Sequence, residues 1–143
     1  MKTLLWLDDI RDPKGYETDG NTWAGAFSPI QAPFQLVWVK SYKEFTDWIM
    51  VNGLPNAICF DHDLGMDVAI TARKDGMSKR KSRKLKQLEL TGYDCAKWLV
   101  DYCMDNDKKL PLWNIQSANP VGKANIDGLL TNFKHFQDGR KSI

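Results

Sequence analysis

Ile58-Cys59-Phe60-Asp61-His62-Asp63-Leu64-Gly65 is the stretch on which the fold turns. A short apolar run stops abruptly at two carboxylates and an imidazole, the pattern of a buried strand delivering polar side chains to its carboxyl end. In open parallel α/β sheets that edge is where ligands bind. The same residues also read as the start of a loop, since Asp and Gly are common in turns. Their neighbours in the chain have to decide between the two.

Towards the N-terminus, Leu4-Leu5-Trp6-Leu7 is a second fully apolar run, and it too ends in acids, at Asp8-Asp9-Ile10-Arg11-Asp12-Pro13. Gly15 to Pro33 lacks sustained periodicity and reads as an irregular connection, with room for one helical turn at Trp23, Ala26 and Phe27. Phe34 to Val39 is rich in aromatic and branched residues and reads as a strand. Ser41-Tyr42-Lys43-Glu44 matches a capping box, and Tyr42, Phe45, Trp48 and Ile49 follow at helical spacing, with a stop by Gly53 and Pro55.

Towards the C-terminus, Met66 to Leu90 has good helix formers but no continuous apolar face, so it reads as an exposed, partly helical excursion. Thr91-Gly92-Tyr93-Asp94 starts a helix with an acid in its first turn, and Ala96, Leu99, Val100 and Cys103 form its apolar face. Leu110 to Ile115 gives a fourth strand, ending in Gln116-Ser117. In Asn119-Pro120-Val121-Gly122, Asn is a favoured N-cap and Pro a favoured first helical residue. Ile126, Leu129, Leu130 and Phe133 then mark a final helix, whose last seven polar residues are expected to fray. The order is that of a doubly wound, mainly parallel sheet of about four strands in one domain over residues 1–143. In such a sheet Asp8, Asp9, Asp61, His62, Asp63 and Ser117 converge on one edge, which favours a site over a loop.

Composition narrows the setting. The three cysteines, Cys59, Cys95 and Cys103, fall in apolar segments without C-x-x-C spacing, which favours buried thiols in a reducing compartment over disulfides or a zinc site. No apolar run reaches membrane-spanning length, so a cytoplasmic protein without a membrane partner is expected. The net charge of +2 is unevenly spread: eight of the 20 basic residues but one of the 18 acids lie between Arg73 and Lys86. The chain is an acidic domain carrying one basic segment.

Carboxylates gathered on one edge repel each other unless something positive sits among them. A divalent cation with oxygen ligands, such as Mg²⁺, meets that need; neutralisation by Arg11 or a lysine, tethering loops, is the other reading. An imidazole beside carboxylates suits proton transfer at His62, or local packing; His135, in the last helix, reads as a surface residue. Ser117, Asn119, Gly122 and Lys123 lie where a strand end meets a helix N-terminus, a place that attracts anions. Pure capping would account for Asn119-Pro120 equally well. The basic segment 73–86 reads as a solvated surface, as a phosphate-binding lid, or as a contact for nucleic acid or an acidic protein.

Taken together, Leu7 to Pro13, Phe60 to Gly65, Thr91 to Asp94 and Ser117 to Gly122 resemble the cyclic-phosphate-processing receiver domains, a response-regulator-like family with a flavodoxin-like fold. The resemblance implies action on cyclic phosphate ends or nucleotides in RNA repair or phage-host conflict. By position it implies that Asp8 and Asp9 are the paired metal-binding acids, that Asp61 matches the phosphoacceptor, and that Ser117 is the hydroxyl residue after the fourth strand. The resulting expectation is a metal-dependent phosphoesterase. Asp61, His62 and Asp9 would be catalytic, Asp8, Asp9 and Asp61 would hold the metal, and Arg11, Ser117, Asn119, Gly122 and Lys123 would bind a phosphorylated small molecule or RNA end. Two departures stand out. The family usually has a histidine where this chain has Gln116, which cannot transfer a proton at neutral pH and so favours a non-catalytic binder. Ordinary receivers carry a lysine on a fifth strand, and a fifth β-α unit is not expected here, which counts against a phosphorelay role.

Overall fold

The structure, a computed structural model, describes residues 1–15, 21–88 and 90–141. Parts of three expected segments fall outside the described residues: 16–20 of the irregular connection, 89 of the excursion, and the last two positions of the tail. The side chains of 66–69, 85–88 and 140–141 are likewise outside them.

Four strands, β1 (Thr3–Leu7), β2 (Gln35–Val39), β3 (Ala57–Phe60) and β4 (Leu112–Ile115), form an all-parallel sheet in the order β2-β1-β3-β4. This is the receiver-like doubly wound arrangement. The two strands with unbroken apolar runs occupy the centre, where both faces are covered: Leu4 to Leu7 and Ala57 to Phe60 are all fully buried. The fourth strand starts at Leu112 rather than Leu110. Pro111 has no N–H to give to a ladder, and the first bond of the pairing is from Leu112 N to Asn56 O.

Residues of alternate parity feed two separate cores. Leu5, Leu7, Ile58 and Phe60 meet α2 (Tyr42–Asn52), and the same core takes in residues of two later helices, α5 (Gly92–Asn106) and α6 (Pro120–Lys141). Leu4, Trp6, Ala57 and Cys59 face the other way, against the single turn α1 (Trp23–Phe27) and the segment Ile30 to Trp38. Right-handed crossovers impose this division, because the sheet runs outward in one direction to β2 and in the other to β4. All three thiols are buried and free, and burial pushes the Cys59 thiol up to about 12 and that of Cys103 up to about 11.

Local signals in the sequence mostly did what their chemistry demands. Ser41 Oγ accepts from Glu44 N at 3.1 Å, but the Glu44 carboxylate reaches past Ser41 to Lys40 N, so the expected capping box is only half formed. The complete box is at α5, where Thr91 Oγ1 accepts from Asp94 N and the Asp94 carboxylate accepts from Thr91 N. The excursion is a hairpin of two helices, α3 (Met66–Lys74) and α4 (Lys79–Leu88), turning through Gly76. The expected fraying of the tail does not occur up to Lys141. Gln137 anchors the last helical turns, its Nε2 donating to Lys108 O at 2.8 Å and its Oε1 accepting from Leu110 N. Among the described residues no helix is long and apolar enough to cross a membrane.

Candidate functional site

Parallel register builds the site. Leu7 pairs with Phe60 and Phe60 with Ile115, so the next residues along, Asp8, Asp61 and Gln116, stand in one row at the carboxyl ends of adjacent strands. The ladder continues into this row: Asp8 N donates to Val39 O, Asp61 N to Leu7 O, and Gln116 N to Phe60 O, at 2.9–3.1 Å. Strand pairing, rather than loop packing, therefore sets the height of the acids.

Asp8, Asp9 and Asp61 are all buried, and each offers a carboxylate oxygen within 4.8 Å of the others. Asp8 is held from several sides. Its Oδ1 accepts from Ile10 N and Arg11 N, and its Oδ2 lies 3.3 Å from Arg11 Nη1. Two indoles clamp the same loop, Trp38 Nε1 donating to Asp8 O at 2.7 Å and Trp6 Nε1 to Arg11 O at 3.0 Å. The Arg11 guanidinium also stacks over Trp23, 5.4 Å from the ring centroid. Arg11 thus neutralises part of the cluster, and this position is compatible with either of its expected roles.

One arginine does not balance three acids. Burial, reinforced by the charges of Asp8 and Asp9 and only partly offset by Arg11, pushes the Asp61 carboxyl up to about 7. Hard oxygen donors in a tight, desolvated group are the set that Mg²⁺ or Mn²⁺ accepts, so these residues fit such a cation.

His62 sits between this row and the start of α6. Its Nδ1 lies 2.9 Å from Asp63 Oδ1, and its ring lies against Gly122, where any side chain would run into Cγ and Cδ2 of the imidazole. Gly92 does the same for the backbone: a Cβ there would collide with the carbonyl oxygen of Asp61, and Gly92 N donates to His62 O at 2.7 Å. The first turns of α5 and α6 therefore close on Asp61-His62 from two sides, and both close approaches require glycine.

Ser117 and Asn119 are occupied with capping as well as being near the site. Asn119 Oδ1 accepts from Gly122 N at 3.0 Å, and Ser117 Oγ accepts from Asn119 N at 3.1 Å. The Lys123 side chain is exposed and makes no ion pair with a described residue. The structure thus brings Asp8, Asp9, Asp61 and Arg11 together and sets His62 against Gly122, while Lys123 stays at the surface.

Four side chains take on contacts that the sequence reading did not assign to them. Gln116 stands in the acidic row, its Nε2 donating to Leu7 O at 3.0 Å and its Oε1 buried without a hydrogen-bond partner among the described residues. Asp63, expected on this edge without a role of its own, engages His62, and Trp6 and Trp38 hold the acidic loop. Counting one residue past each apolar run would have aligned Gln116 with Asp8 and Asp61. No local signal marks the two indoles, because their partners are main-chain carbonyls reached only through the fold.

A family model described as Cyclic-phosphate processing Receiver domain matches residues 3–132, a span that includes the candidate site residues named above. No curated protein and no solved structure gives a significant match.

Proposed function

The chain belongs to the cyclic-phosphate processing receiver domain family, and from that premise we propose that it is a metal-dependent phosphoesterase opening a cyclic phosphate of a nucleotide or an RNA end. The observation that carries this reading is the trio of buried carboxylates, with oxygens within 4.8 Å of one another, beside an imidazole fixed against a helix N-terminus.

Asp8, Asp9 and Asp61 would hold Mg²⁺ or Mn²⁺, which when bound supplies Lewis-acid polarisation of a phosphoryl oxygen. The chain's own residues do the rest. Asp63 engages Nδ1 of His62, so Nε2 is the nitrogen left to carry a proton. Opening a cyclic diester adds water at phosphorus and breaks one P–O ester bond; the departing sugar oxygen takes the proton carried on His62 Nε2, and the proton given up by the attacking water returns to that nitrogen to reset it. Ser117 keeps its hydroxyl hydrogen for a phosphate oxygen, since its Oγ is used here only as an acceptor. Arg11 and the first turn of α6 add positive potential on the same edge.

Purified protein incubated with 2′,3′-cyclic nucleotides, 3′,5′-cyclic nucleotides and cyclic-ended RNA, with and without Mg²⁺, tests the reading. A linear phosphomonoester that requires metal and disappears in Asp61→Ala is expected. Absence of any such product with all three substrates sinks the enzymatic reading for them.

Gln116 favours a second reading, a receiver-like protein that binds a phosphorylated ligand without turning it over. An amide does not give up a proton at neutral pH, and this one is tied to Leu7 O. Ligand binding without turnover that survives His62→Ala would select this alternative.

A further inference from the structure

We propose that the α3–α4 hairpin is a docking surface for the phosphodiester backbone of a nucleic acid strand, with α4 as the contact helix. This goes beyond the chemistry of the acidic site and does not depend on it. The hairpin leaves the strand-end loop directly after the buried Leu64 and Gly65.

The α4 helix is electrostatically frustrated in isolation. Lys79, Arg80 and Lys81 fill its first turn, at the positive end of the helix dipole, and no acid accompanies them there. Lys79 faces Arg83, and Arg80 faces Lys84, at i,i+4, where like charges destabilise a helix. All five cations are exposed, and none makes an ion pair with a described residue. Ser82 is the exception that orients the helix: it is buried, its Oγ donating to Lys79 O at 2.9 Å, while the five cations around it are exposed. A polyanion lying along α4 relieves the dipole clash and both like-charge pairs at once.

The chemistry of the patch selects the polyanion. Between Lys79 and Lys84 there is no apolar side chain to enter a lipid interface. The same six residues include no aromatic or apolar anchor of the kind that carries protein–protein affinity. Cations alone read phosphates without reading sequence. Outside residues 73–86 the chain has 17 acids against 12 basic residues, which steers a nucleic acid away from other faces and onto the hairpin.

Fluorescence polarisation with a labelled mixed-sequence RNA 12-mer ending in a 3′-hydroxyl, without divalent metal, isolates this surface from the acidic site. Five phosphate contacts on a single strand correspond to a log–log salt slope of about −3.5, or roughly a 130-fold loss of affinity between about 50 and 200 mM salt. Arg80→Ala/Arg83→Ala/Lys84→Ala should weaken binding at least tenfold at the lower salt and flatten the slope by about 2. Alanine and glutamine are good helix formers, so this variant and its Gln counterpart, checked by circular dichroism, should keep the hairpin helical. Lys108→Ala/Lys109→Ala, on exposed cations elsewhere, should bind like the parent. No binding at the lower salt, or equal binding by folded hairpin variants, would overturn the assignment. Tighter binding of an acidic peptide of equal charge would also overturn it, in favour of a protein partner.

Discussion

The imidazole of His62 occupies the space that a side chain at position 122 would need: a Cβ on Gly122 would meet the ring, with Cδ2 at 2.6 Å. Gly122→Ala should therefore destabilise the fold by about 1–3 kcal/mol as the ring is forced aside. Gly128, in the same helix, has nothing within 4 Å of the place a methyl group would take, so Gly128→Ala should stabilise it by about 1 kcal/mol. Urea denaturation of the two variants checks the opposite signs. Loss of phosphate-ligand binding in the first variant and not the second would tie His62's position to the site.

Asp61 predicts an unusual pH dependence. Its folded pKa, about 7, lies above the unfolded value near 3.8, so the folded state binds the proton more tightly. The resulting stabilisation is complete below about 3.8 and is lost as pH rises through about 7, a change on the order of a few kcal/mol. Thermal melts of the parent between pH 5 and 8 should fall relative to Asp61→Asn. Added Mg²⁺ should raise the parent's Tm more at pH 8 than at pH 5, because the cation competes with that proton.

Trp38 tests whether the acidic loop needs its clamp. Trp38→Phe keeps most of the ring but leaves Asp8 O without the 2.7 Å indole bond, at an expected cost of about 1–2 kcal/mol. Mg²⁺ titration by calorimetry should also show weaker binding than in the parent, since Asp8 is then less firmly placed.

Gln116→His addresses the chain's departure from its family. With a proton-transferring ring restored beside Asp61, turnover of a cyclic phosphate should rise by about 100-fold, measured under saturating substrate. Unchanged turnover would leave His62 as the sole proton carrier. No turnover in either protein would support the binding-only reading.

The fold was legible because its strongest signals are physical necessities. Leu4 to Leu7 and Ile58 to Phe60 must be central strands, since only a doubly covered position buries such runs, and Asn119-Pro120 starts α6 by capping chemistry. The acidic trio was legible for the same reason, as acids follow each central strand. Long-range partners were not. Glu44 looks like the second half of a capping box but bonds to Lys40 N. The tail looked polar enough to fray, yet Gln137 finds carbonyl and amide partners around Lys108 and Leu110, some 27–29 residues away in sequence. Local pattern records which face is apolar; it does not record which main-chain atom a distant side chain will meet.

The row formed by Asp8, Asp61 and Gln116 joins segments remote in the chain, Gln116 reaching Leu7 across 109 residues. No short piece of the polypeptide holds even two of these side chains at their working distance. The site thus exists only when β1, β3 and β4 are paired. A cation captured by the three acids would draw on that same pairing, so ligand concentration and folding equilibrium become a single coupled variable for this protein.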